Sequence, residues 1–107
     1  MLPFPPASSV EDVNAGFYLV ERYVPGATQD DLAAAAARVA AAAAELSADG
    51  ICVRYLGSSF VPGEETCFCE FEAASSEAVE WANERAGLAF AQILPAVRLP
   101  TAQTTRR

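Results

Sequence analysis

Thr66-Cys67-Phe68-Cys69-Glu70-Phe71-Glu72-Ala73 is the stretch whose reading decides the fold. Side chains alternate across a strand, so one face carries Cys67, Cys69 and Phe71 while the other carries Phe68, Glu70 and Glu72. An apolar face backed by an aromatic and acidic one suits the middle of a sheet with helices on one side and a partner or pocket on the other.

Working outward, Gly16 to Val24 reads as an earlier strand, rich in aromatic and β-branched residues and closed by Pro25-Gly26. Tyr18, Val20 and Arg22 share one of its faces, and Phe17, Leu19, Glu21 and Tyr23 the other. Thr28 followed by Asp31 is a helix N-cap signal, and the helix it starts is predicted over about Gln29 to Leu46. Leu32, Val39 and Leu46 recur at helical spacing along it, with alanines between them that let it lie close on a sheet. Ile51 to Phe60 reads as a strand interrupted near Gly57-Ser58-Ser59, where a bulge fits, and Pro62-Gly63-Glu64 turns the chain into the central strand.

Ser75-Ser76-Glu77 caps a second helix that carries Val79, Trp81 and Ala82 and stops at Gly87. Within it Asn83-Glu84-Arg85 reads as a solvated polar face. Leu88 to Ile93 reads as a short connector, and Pro95 to Leu99 as a final edge strand flanked by prolines. The boundaries predicted are a flexible leader over 1–15, one domain over 16–100 and a flexible tail over 101–107.

The resulting order is βαββαβ, an α+β ferredoxin-like arrangement. It places two helices on one face of a four-stranded antiparallel sheet, with the first and third strands in the middle. Phe17, Leu19, Tyr23 and Phe68 then lie on the bare face, so two sheets are expected to pack face to face as a dimeric α+β barrel.

Composition narrows the function. At 107 residues the chain can bury roughly two thirds of its unfolded surface, enough for one core. Fourteen acids against seven bases give a net charge of -7, which disfavours nucleic acid and anionic membrane surfaces as partners. The alanine-rich run is too short and too weakly apolar to span a bilayer. The prolines of the leader would break a signal helix, and the expected location is cytoplasmic. An odd number of cysteines (Cys52, Cys67 and Cys69) points to reduced thiols. All seven bases are arginine and there is no histidine, which excludes a serine-histidine triad and leaves proton transfer to Glu, Asp, Tyr or Cys.

The candidate ligand-binding group is Glu21, Tyr23, Arg54, Glu70 and Glu72 on the bare face, with Arg98 reaching in from the edge. Glu70 and Glu72 stand about 6.5–7 Å apart along their strand, near enough to share a cation or a water. Metal candidates are Glu70 and Glu72, or the thiols Cys67 and Cys69 with Cys52 on the neighbouring strand, a soft set suited to zinc, copper(I) or nickel. Burial under the helices is the competing role for those thiols.

Tyr18-Leu-Val-Glu-Arg22, Pro25-Gly26, Arg54-Tyr-Leu56, Cys69-Glu-Phe-Glu-Ala73, Glu77-Ala-Val79, Arg85-Ala-Gly-Leu88 and Ile93 to Leu99 together resemble a family of short bacterial proteins of unassigned function. Some of its members carry a nickel-binding label. The resemblance implies the same ferredoxin-like fold and barrel dimer. Nickel in proteins favours imidazole, so any divalent metal here would draw on the carboxylates or the thiols. Three readings follow in order: a homodimeric protein holding a small ligand or cation in the acidic and aromatic cleft, a cofactor-free dimeric-barrel enzyme of monooxygenase or isomerase type, and a purely structural interaction module. Glutamates buried beside aromatics would mark the enzyme, and glutamates paired to arginine the binding or structural reading.

Overall fold

The computed structural model describes residues 15–100; the predicted leader, apart from Ala15, and the predicted tail lie outside them. Four strands and two helices follow in the expected order. They are β1 (Gly16–Tyr23), α1 (Gln29–Ala48), β2 (Val53–Val61), β3 (Thr66–Ala73), α2 (Ser76–Arg85) and β4 (Gln92–Ala96), with a single 3-10 turn at Pro62–Glu64 between β2 and β3. The sheet is antiparallel with strand order β2-β3-β1-β4, so β1 and β3 are central and β4 is an edge. This is the ferredoxin-like α+β fold.

Local chemistry sets the helix ends. Thr28 and Asp31 form a reciprocal capping box: the Asp31 amide donates to Thr28 Oγ1 (3.0 Å) and the Thr28 amide to Asp31 Oδ2 (2.9 Å). Ser75 caps α2 through the Ala78 amide at 3.2 Å. Beyond α2, Gly87 has φ +74°, a left-handed conformation that a side chain disfavours.

The core lies between the helices and one sheet face. Val20, Cys67, Cys69 and Phe71 meet Val39, Ala43 and Leu46 of α1 and Ala78, Val79 and Ala82 of α2. β2 keeps its alternation only by absorbing an extra residue. Its register to β3 shifts between Tyr55 and Gly57, so Arg54 opposes Glu72, Tyr55 opposes Phe71, and then Gly57 opposes Glu70 and Ser58 opposes Cys69. The bulge at Leu56 therefore puts Tyr55 and Ser58, three apart in sequence, on the same helix-facing side.

Three expectations need correction. β4 is Gln92–Ala96, not Pro95 to Leu99, and Pro95 sits inside it opposite Tyr18. An edge strand pairs on one side only, which lets it hold a residue without an N–H. β2 begins at Val53, leaving Cys52 before the strand. Asn83 is not on a solvated face but fully buried, because it continues the stripe of Val79 and Ala82 towards the core.

Candidate functional site

The five residues predicted from sequence all fall on the open face of the sheet. Cross-strand pairing sets Glu21 opposite Phe68 and Gln92, Glu70 opposite Leu19, and Glu72 between Phe17 and Arg54. Each glutamate already has a side-chain partner. Arg54 pairs with Glu72, Arg98 reaches Glu70 at 3.4 Å, and Gln92 Nε2 donates to Glu21 Oε1 at 2.6 Å. Arg98 also lies over the Phe17 ring, 4.5 Å from its centroid. Tyr23 is exposed at the end of β1.

Glu70 and Glu72 are about 40% exposed and each is engaged by its own arginine, so they do not converge on one point. Between these polar groups the same face carries Phe17, Leu19, Phe68 and Leu94, an apolar ladder without helix cover. In the monomer it is a patterned surface with ion pairs as rungs. Exposed pairs of this kind contribute at most about 1 kcal/mol each, and their value is to orient charge.

The thiols are on the other face. Cys67 and Cys69 are buried with their sulfur atoms 4.0 Å apart, and none of the three cysteines is in a disulfide. Tyr55 and Ser58 share a hydrogen bond of 2.6 Å, and Ser58 Oγ in turn donates to Cys69 Sγ at 2.9 Å. Burial and the adjacent Cys69 push the Cys67 thiol up to about 11, against the opposing influence of Arg22. Burial likewise raises the Tyr55 hydroxyl. Cys52 does not join this pair. Its carbonyl bonds the Ala74 amide beyond one end of β3, seven residues or about 20 Å of strand from Cys67. Among the described residues no three Cys, Asp, Glu or His side chains gather as metal ligands.

Sequence reasoning missed the buried polar centre on this side. Arg22 is 5% exposed; its guanidinium donates to Asn83 Oδ1 and to the Ala89 carbonyl (3.0 Å), while Asn83 Nδ2 donates to the Val79 carbonyl at 2.8 Å. The signal was present in the phase: Arg22 follows Tyr18 and Val20, and Asn83 follows Val79 by four residues. Arg22, Ser58, Cys67 and Cys69 also line a cavity of about 190 Å³ beneath α1. Trp81 is half exposed beside a shallow recess of about 500 Å³ with Leu46 and Arg85. No helix of the described residues is long and apolar enough to cross a membrane.

No curated protein matches the chain. Among solved structures, the crystal structure of SCO4226 from Streptomyces coelicolor A3(2) is similar, with a TM-score of 0.67 and 26% sequence identity over 79% of this chain and 99% of that one. The family model described as nickel responsive protein SCO4226-like matches residues 18–95. With that match spanning both helices and running from within β1 into β4, the chain belongs to the SCO4226-like family of nickel-responsive proteins.

Proposed function

We propose that this protein is a small cytoplasmic homodimeric binding protein. Two copies pair through their open sheet faces, and Glu21, Tyr23, Arg54, Glu70 and Glu72 line the space between them, where they hold a small ligand or a cation. The observation that carries this reading is the open face itself: an uncovered apolar ladder of Phe17, Leu19, Phe68 and Leu94 interleaved with ion-paired glutamates. Apolar surface on that scale favours burial against a partner, and self-complementary pairing about a two-fold axis is the commonest way to achieve it. Glutamates engaged by arginine favour binding over catalysis, because a general base needs a carboxylate free to take a proton.

The family's description links it to a nickel response. The side chains here do not fit a nickel centre of the usual nitrogen-rich kind. The chain has no histidine, and Glu21, Glu70 and Glu72 are already held by Gln92, Arg98 and Arg54. A cation in this cleft would be an oxygen-bound one that displaces arginine.

Native mass spectrometry of untagged protein under reducing conditions, with and without nickel, zinc and copper, reads subunit number and bound mass together. The expected result is a dimer whose bound mass is lost in Glu21→Gln and Glu70→Gln. A monomer at micromolar concentration, or glutamine variants that change neither dimer stability nor ligand retention, sinks the reading.

A further inference from the structure

On the helix side of the sheet, away from the face assigned to the dimer, a charge is buried without a counter-charge. Arg22 is 5% exposed, and both of its hydrogen-bond acceptors, Asn83 Oδ1 and the Ala89 carbonyl, are neutral. Among the described residues no carboxylate pairs with it; the three ion pairs found there use Arg54, Arg85 and Arg98. Holding an ion out of water costs several kcal/mol unless an opposite charge compensates it. The guanidinium fork has five N–H donors, more than those two acceptors need, and its geometry matches a carboxylate.

Arg22 also borders an open space. The cavity of about 190 Å³ has Arg22 at one side, Leu32, Ala36 and Val39 of α1 as an apolar roof, and Ser58 and Cys67 on its floor. A second chamber of about 350 Å³ shares Leu32, Ala36, Ser58 and Cys67 with the first and extends to Tyr55 and Phe60. Ser58 is exposed, which gives the space a mouth. The alanines of α1 create it, since a larger side chain at Ala36 would occupy both chambers.

We propose that this cavity binds a small organic monocarboxylate, with the carboxylate on Arg22 and an apolar tail under α1. One guanidinium balances one negative charge, and among the described residues no other arginine, lysine or histidine lines either chamber, so a dianion such as phosphate is disfavoured. The chamber beside Arg22 is smaller than the roughly 300–1,000 Å³ typical of drug-sized ligands, which limits the tail to a short alkyl chain or a single ring unless it runs on into the second chamber.

Calorimetric titration of the full chain with butanoate, hexanoate, octanoate and benzoate tests the assignment, with the matching primary amides and inorganic phosphate alongside. Carboxylates are expected to bind and to slow labelling of Cys67 and Cys69, while the amides bind at least about tenfold more weakly and phosphate does not bind. Arg22→Met removes the anchor. Because it can also unfold the core, Ala36→Phe is the second variant, filling the space while leaving Arg22 and Asn83 in place. Ala36→Phe is expected to keep its circular dichroism spectrum and to lose binding at least about tenfold. The proposal is overturned if no carboxylate binds with a Kd below about 1 mM, if the amides bind as well as the acids, or if folded Ala36→Phe binds like the wild type.

Discussion

Asn83→Ala is the substitution that most directly tests the buried polar centre. It removes the acceptor for one arm of Arg22 and the amide that donates to the Val79 carbonyl, at a position with no solvent access. A hydrogen bond to a buried charge contributes about 1.5–3 kcal/mol, and the guanidinium left behind keeps only the Ala89 carbonyl, so a loss of about 2–4 kcal/mol is expected. For a domain of roughly 100 residues that is a fall in Tm of about 10–20 °C. The assay is thermal unfolding by far-ultraviolet circular dichroism at fixed protein concentration, because the proposed dimer would make Tm depend on concentration. Asn83→Asp keeps an acceptor and adds a counter-charge. It should recover part of the loss near neutral pH and give it back in acid, where the new carboxylate protonates. A loss below about 0.5 kcal/mol for Asn83→Ala, the size of an ordinary surface substitution, would refute the reasoning, as would an Asp variant no more stable than the Ala variant across the pH range.

Other consequences can be checked with similar means. The Asp31 carboxylate is held below its usual range, first by the Thr28 amide and then by the Thr28 side chain. A depressed acid stabilises the fold above its unfolded pKa and loses that contribution as pH falls through the folded one, so acid unfolding should begin later in Asp31→Asn than its lower starting stability suggests. For Cys67 the sign is opposite. A thiol raised from 9.0 to about 11 favours the fold below pH 9, and that contribution should fade between about pH 9 and 11 in urea titrations of the wild type but less in Cys67→Ala. Phe68→Asp, on the open face beside Glu70, should turn the proposed dimer into a monomer by light scattering without changing the circular dichroism spectrum; a persistent dimer would place the interface elsewhere. Gly87→Ala should cost about 1–2 kcal/mol, the penalty for a side chain at φ +74°, and a neutral result would mean that the end of α2 relaxes.

The parts of the fold legible in the sequence were those written in a short period. The alternation of β3, the Thr28 capping box, Ser75 and Gly87 each carry a local cause, and together they dictated the element order. Pro95 misled because proline was read as a boundary, whereas an edge strand can hold it within its length. Asn83 was hidden by its neighbours: Asn-Glu-Arg looks like a polar block until the helical phase is followed from Val79. The open-face residues were placed on the correct side, including Arg54, and Arg98, which holds Glu70, was placed beside them; Gln92, which holds Glu21, was missed because it depends on β4 lying farther back along the chain than predicted. The cavity beneath α1 had no sequence signal of its own, since a row of alanines reads equally well as close packing or as space. Only the distance between helix and sheet separates the two.

The extra residue in β2 makes that strand behave like a message with a reading frame. Upstream of Leu56 the odd-numbered position Tyr55 faces the helices; downstream the even-numbered positions Ser58 and Phe60 do. A substitution at Leu56 leaves this phase intact. Deleting the residue would remove the bulge and leave the two halves in step, with Tyr55 still opposite Phe71, Gly57 opposite Glu70 and Ser58 opposite Cys69. Arg54 then stays on the open side and Ser58 beside Cys69; what is lost is the local bend and added twist that a bulge imposes on its strand. The bulge thus absorbs a change in chain length at this one point, and a strand lacking the extra residue would present the same chemistry on each side of the sheet while reading as a plain alternation.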